Sequence, residues 1–242
     1  MMLKKMFAMA LAGTLCAVPV AFAQNGGNTG REESIEELYL TNPALQIAYE
    51  AARSDDRESK LLALSQLTAM IDEGVSKEEE VQIAAILRDL ASQGTTIIIR
   101  EKGRLVNYYV DVRREACRVL ATVKSDEAKK RAVAVLIEVL KYDDDPIVKS
   151  NAAYSLGVIG LNENEESARA IARALESQDY VAPNDHFAYS GAIALEKIAK
   201  ANNGIFDPLV MQVLVKITQG NYNRSVKDKA FSVLQTLRTY SR

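Results

Sequence analysis

"VKSNAAYSLGVI", residues 148–159, decides the fold, because its apolar spacing returns along the chain. Set beneath "VRREACRVLATV" (112–123), Val148 falls on Val112, Ala152 on Ala116, Leu156 on Leu120 and Ile159 on Val123. "FAYSGAIALEKI" (187–198) keeps the register with Phe187, Gly191, Leu195 and Ile198. "VKDKAFSVLQTL" (226–237) keeps it with Val226, Ala230, Leu234 and Leu237. An earlier, weaker copy, "SKLLALSQLTAM" (59–70), holds Ala63, Leu67 and Met70 but opens on Ser59. Steps of four, four and three place these residues on one stripe of an α-helix. The second marker is always Ala or Gly, which lets a neighbouring helix approach closely.

Each copy follows another apolar helical stretch, at 44–53, 77–92, 127–141, 165–177 and 207–218. The expected architecture is therefore all-α, with about five helix pairs stacked in series. "DDDPIVKSNAAYSLGVIG" (143–160) resembles the HEAT and HEAT-like repeat family: an acidic, Pro-containing turn, the pair Val148-Lys149, a small residue, and a closing Leu-Gly-x-Ile-Gly. "DVRREACRVLATV" is the next best copy. Later copies depart from the pattern, with Gly191 in place of Ala and Asn184 or Asn223 where the turn acid is usual. The resemblance runs over roughly 43–240. It implies an α-α superhelical solenoid of HEAT-like pairs whose curved surface binds other proteins, and it is specific for fold and weak for function.

One stretch interrupts the rhythm. The markers Leu67, Leu120, Leu156, Leu195 and Leu234 stand 53, 36, 39 and 39 residues apart, so the first interval is too long. The excess lies within the second pair, where "TTIIIREKGRLVNYY" (95–109) is β-branched and aromatic on both sides of Glu101-Lys102-Gly103. That composition predicts a β-hairpin inserted at an inter-helix turn, an arm on the edge of the solenoid.

The N-terminus reads as an export signal. Lys4 and Lys5 precede an apolar run, and Ala21-Phe22-Ala23 is a small-x-small cleavage site before Gln24. Leu15 before Cys16 does not fit the lipoprotein signal pattern. The expected domains are a signal peptide at 1–23, a flexible tether and lead-in at 24–42 ("QNGGNTGREE" at its start), and a repeat domain at 43–242. The expected location is exported, periplasmic or secreted, without stable membrane insertion after cleavage. Without the signal, 28 basic residues face 32 acidic ones, and a charge of −4 gives no general attraction for nucleic acid or anionic lipid. Cys117 is then the one cysteine, so no intrachain disulfide is expected, and its place among Ala116, Val119 and Leu120 reads as a buried thiol.

The search for chemistry is short. His186 is the single histidine, beside Asp185 and expected to begin a helix in an exposed turn. "GLNENEE" (160–166) lacks the lysine and preceding strand of a phosphate loop. One Cys and one His build no zinc site, and Asp143-Asp144-Asp145 lacks the spacing and glycine of a calcium loop; its expected role is capping the helix after Pro146. No cofactor or metal is expected. The HEAT-like alkylpurine DNA glycosylases need a basic groove that this acidic chain does not announce, and the related phycobilin lyase subunits find no independent sign here.

What remains is aromatic. Tyr108, Tyr109, Tyr142, Tyr180 and Tyr222 all fall between the first and second helices of a pair, where equivalent turns stack along one edge. Packing back onto the repeat is expected for Tyr142 and for one of Tyr108 and Tyr109; polar neighbours predict exposure for Tyr180 and Tyr222. The hairpin either folds over the solenoid, burying Ile97, Ile99 and Leu105, or projects them to a partner. The resulting expectation is a non-enzymatic protein-interaction scaffold in the cell envelope. Its proposed contacts are Ile97, Ile99, Leu105, Tyr108, Tyr109, Tyr180 and Tyr222. The alternatives are an enzyme or enzyme-associated subunit with a pocket near His186, and a self-assembling protein whose arm docks on a neighbouring copy.

Overall fold

The computed structural model describes residues 42–179 and 181–240. The expected signal peptide, nearly all of the expected tether and Tyr180 lie outside the described residues. Ten α-helices fall within them: α1 (Pro43–Arg53), α2 (Arg57–Glu73), α3 (Lys77–Ala91), α4 (Val110–Leu120), α5 (Asp126–Tyr142), α6 (Pro146–Ile159), α7 (Glu166–Glu176), α8 (Asp185–Ala201), α9 (Pro208–Gln219) and α10 (Arg224–Tyr240). A short 3-10 turn at Glu163–Glu165 leads into α7. The helices pair as the repeat predicts: α1 with α2, α3 with α4, and so on to α9 with α10.

The second helices α2, α4, α6, α8 and α10 stack in order, and from α3 onward the first helices stack beside them. The markers explain the stack. Ala63, Ala116, Ala152 and Ala230 are all fully buried, as are Leu67, Leu120, Leu156 and Leu195. The helices α6 and α8 approach closely, for a Cβ on Gly157 would stand 2.7 Å from Ala194 Cα. A side chain there would hold the two helices apart.

Local chemistry starts the helices where the sequence breaks. Asn42, Asp145 and Asp207 each accept backbone N–H bonds ahead of a Pro at the first helical position of α1, α6 and α9. Ser76 and Glu79 form a reciprocal capping box at α3. Asn42 also donates from Nδ2 to Glu79 Oε1 at 2.6 Å, tying the start of α1 to the start of α3.

The hairpin is real and short. β1 (Arg100–Glu101) pairs antiparallel with β2 (Arg104–Leu105), with Arg100 opposite Leu105 and Glu101 opposite Arg104. The turn itself is Lys102-Gly103, both at positive φ (48° and 81°), as a two-residue hairpin turn requires. Among the described residues no helix is long and apolar enough to cross a membrane.

Candidate functional site: the turn edge and its arm

The base of the arm is built into the solenoid. Asn107, 3 % exposed, accepts the Ile99 N–H at 3.0 Å and donates from Nδ2 to the Ile97 carbonyl at 2.8 Å and Gln93 Oε1 at 3.1 Å. Gly94 N–H donates to the Ile97 carbonyl, and Val106 N–H to the Ile99 carbonyl. Beneath them Arg113, at the start of α4, donates from Nη1 to the Gln93 carbonyl at 3.1 Å. These bonds fix where the arm leaves the repeat.

Above the base the arm opens to solvent. Ile97 and Leu105 are half-buried, while Ile98 and Ile99 are 53 % and 41 % exposed. Neither expected extreme is met in full: Ile97 and Leu105 are partly covered and Ile99 stays outward. The physical reason is the anchor at Asn107. It spends the hydrogen-bonding groups of Ile97 and Ile99 at the base, so the two-residue strands beyond are too short to lie across a neighbouring turn.

The two tyrosines after the arm reach in opposite directions. Tyr109 packs partly on the core and its hydroxyl donates to the Asp55 carbonyl in the preceding pair's turn at 3.0 Å. Tyr108 points to the following pair, donating to Asp144 Oδ1 at 2.8 Å, and its ring centre lies 4.4 Å from the Arg113 guanidinium carbon. Burial and the bond to Asp144 raise the Tyr108 phenol above its ordinary pKa.

The turn edge continues by the same device. Asn221 Nδ2 donates to the Val181 carbonyl at 2.9 Å, and Asn223 N–H to Asp185 Oδ1 at 2.9 Å. Gln178 Nε2 approaches the Tyr222 hydroxyl at 3.5 Å. Equivalent turns therefore stack into one edge, tied side chain to turn. A cleft of about 320 Å³ opens along it between the third and fourth turns, lined by Asp144, Lys149, Gln178, Asp179 and Asn184 among others.

Two tyrosines differ from expectation. Tyr142 does not pack back; it is 53 % exposed, with Lys141 Nζ 4.7 Å from its ring centre. The core stripe of α5 runs through Val135, Leu136, Val139 and Leu140, and its next position is Asp143, which Arg113 draws inward. Tyr142 is left on the outer side. Tyr222 is not exposed but half-buried on the core, its ring covering Gly220.

Asp143, Asp144 and Asp145 separate into three roles. Asp145 caps α6, Asp144 accepts from Tyr108, and Asp143, 3 % exposed, pairs with Arg113. Burial works against the Arg113 charge, and the Asp143 carboxylate outweighs it, so its pKa stays above the ordinary value. Sequence reasoning saw the cap and missed the pair, whose members are 30 positions apart. It also missed the exposed aromatics Tyr154 on α6 and Tyr189 on α8, which sit off the marker stripe on the second helices.

His186 and Cys117 are not brought together. His186 is exposed near the start of α8, with Nδ1 2.9 Å from Ser150 Oγ. Cys117 is fully buried in α4, where desolvation pushes its thiol pKa far up and withholds the thiolate. Neither lines the turn-edge cleft, nor the groove of about 480 Å³ between α2 and α4 that Asp72, Asp111, Arg114 and Arg118 flank. Among the described residues no group of three or more His, Cys, Asp or Glu is placed to hold a metal ion.

Residues 105–182 match the family model of HEAT repeats. The matched segment runs from the outgoing strand of the arm to just past α7, and the pairs on either side repeat its packing. No curated protein matches the chain. HEAT repeats commonly mediate protein–protein interaction, and proteins built from them are typically not enzymes.

Proposed function

Starting from a chain of HEAT-like repeats, we propose that it is an exported, non-enzymatic scaffold of the cell envelope that binds another protein through the turn edge and the arm. The observation that carries this reading is an exposed apolar group on a rigid frame. Ile98, Ile99, Tyr108 and Tyr142 are 53, 41, 41 and 53 % exposed, while Asn107, Arg113 and Asp143 beneath them are buried and fully bonded. A surface ordered before the partner arrives loses little entropy on binding. Tyrosine and isoleucine contribute large contact area there. Tyr109 and Tyr222 hold the edge together, and the binding contacts fall to Ile98, Ile99, Tyr108 and Tyr142. Export rests on the N-terminal signal pattern, and the domain division at residues 23 and 42 goes with it.

The test is capture from the native cell envelope after crosslinking, with the full chain compared with an Ile98→Ser/Ile99→Ser/Tyr142→Ala variant. All three positions are exposed, so helicity should be unchanged. Loss of one discrete captured protein supports the reading, and an identical captured set contradicts it.

A second reading, self-assembly, is favoured by Phe231. Its equivalents on the preceding second helices, Leu64, Cys117, Ala153 and Ala192, are 0–1 % exposed beneath the next helix, whereas Phe231 on α10 is 54 % exposed. A second copy stacked on this face would bury it. Sedimentation at rising concentration tests this: self-assembly predicts growth in size that Phe231→Ser abolishes, and a monomer throughout rules it out.

A further inference from the structure

The charge on the tip of the arm runs against that of the chain. The sequence carries a net charge of −2, yet within residues 100–104 three cations, Arg100, Lys102 and Arg104, stand with one carboxylate, Glu101. All four are exposed. Arg100 Nη1 reaches the Gly103 carbonyl at 3.3 Å, and none of the three cations forms an ion pair among the described residues. Two other cations near the turn edge are engaged: Arg113 is buried on Asp143, and Lys141 lies over the Tyr142 ring.

The hairpin register places these charges beside the apolar side chains. Ile98 and Arg100 lie on one face of the arm, Ile99 and Glu101 on the other, with Arg104 opposite Glu101. Each face therefore offers one outward isoleucine at its base and one arginine toward its tip. Lys102 lies in the turn between them. A complementary surface has an apolar centre that receives the isoleucines and carboxylates around it that meet the cations.

We propose that the arm seats on an acidic protein surface with an apolar centre, the isoleucines supplying contact area and Arg100, Lys102 and Arg104 supplying orientation. This rests on the arm being a binding element, as argued above, and adds the chemistry of what it binds. Arginine suits the role because its planar donors meet carboxylates two at a time. The charges should act mainly on the encounter rate and on choice of partner. An anionic membrane is the less fitting occupant. Three cations alone give only a weak hold on a lipid surface, and the net negative chain opposes that approach.

The test uses the full chain and two variants, Arg100→Glu/Lys102→Glu/Arg104→Glu and Ile98→Ser/Ile99→Ser, with circular dichroism to verify folding. The probes are a random glutamate–tyrosine copolymer and phosphatidylglycerol vesicles. The full chain should bind the copolymer in a salt-sensitive way, and charge reversal should weaken that binding at least about tenfold. Equal binding by both chains, or binding to the vesicles in preference to the copolymer, overturns the proposal. Envelope capture separates the two levels of the argument. If the isoleucine variant loses the captured protein and charge reversal does not, the arm remains a binding element and the acidic partner is wrong. If neither variant loses it, both readings fall.

Discussion

Arg113 and Asp143 form a two-pronged ion pair sealed from water: Nε meets Oδ2 at 2.6 Å, Nη2 meets Oδ1 at 3.1 Å, and the side chains are 0 % and 1 % exposed. The pair joins α4 of the second repeat to the turn of the third. Asp143 Oδ1 also accepts the Asp145 N–H at 2.9 Å, and the remaining Arg113 arm holds the Gln93 carbonyl under the hairpin. One guanidinium thus sets both the exit of the arm and the position of the turn beside it.

Removing one partner leaves the other charge buried without compensation. Arg113→Met or Asp143→Ala should each lower unfolding free energy by about 3–5 kcal/mol. The double variant Arg113→Met/Asp143→Leu should recover much of that loss. Urea unfolding measures all three, and a double variant as weak as the worse single one would mean the pair contributes through shape alone.

Glu80 predicts an acid limb. It is 4 % exposed on α3, and its carboxylate accepts the Lys124 N–H at 2.9 Å and the Ser125 N–H at 2.6 Å, at the start of α5. Burial pushes its pKa up, and the bonds from Lys124 and Ser125 outweigh it, so the folded value lies below the ordinary one. The sign follows: a depressed carboxylate adds stability above its unfolded pKa and loses it as pH falls through the folded one. Glu80→Gln should therefore be less stable than the parent at pH 7. The gap should close as pH drops below about 4.3. A constant gap across that window would contradict the assignment.

Asn107 separates the base of the arm from its tip. Asn107→Ala strands the Ile99 N–H and Gln93 Oε1, while the Ile97 carbonyl keeps the Gly94 N–H, and should cost roughly 2 kcal/mol. Protease cleavage near residues 98–105 should also quicken, because the arm loses its anchor. By contrast, replacing residues 100–105 with Asn-Gly keeps the Val106-to-Ile99 bond at 3.1 Å and should leave the melting temperature nearly unchanged. A large drop in melting temperature for that replacement would show that the tip belongs to the core.

Gly157 and Gly191 make a graded pair. A Cβ on Gly157 meets backbone, Ala194 Cα at 2.7 Å, whereas one on Gly191 first meets the Leu175 methyl carbon Cδ1 at 2.9 Å. Alanine gains up to about 1 kcal/mol of helix propensity at either site. At Gly157 the forced separation of α6 and α8 should exceed that gain by roughly 1–3 kcal/mol. Gly191→Ala should be close to neutral, since a leucine tip can rotate aside. Equal melting temperatures for the two variants would remove the close-approach argument.

The repeat was legible because its markers are local. Val148, Ala152, Leu156 and Ile159 announce a helix and its buried stripe within twelve residues, and the excess spacing before Leu120 exposes the arm as an insertion. The turn edge was legible as a position, since every pair has one. Its chemistry was not. Whether Tyr142 or Asp143 takes the inward place depends on Arg113, far off in sequence and adjacent only after stacking. Tyr222 looked like a surface candidate because it has polar neighbours in the chain, yet it lies against the core, whereas Tyr109 is the inward member expected of the Tyr108-Tyr109 pair. In the folded protein the relevant neighbours are the adjoining turns, with Asp55 receiving the Tyr109 hydroxyl. Composition near a residue in the chain says little about composition near it in space.

The most direct measurement of the central claim is photo-crosslinking in the living cell, with a photoreactive residue placed in turn at Ile98, at Tyr142 and at Gln212, an exposed position on α9. Binding through the arm and turn edge predicts the same discrete adduct from Ile98 and Tyr142 and none from Gln212. An adduct from Gln212 with neither of the others would contradict it and move the interface to the first-helix surface.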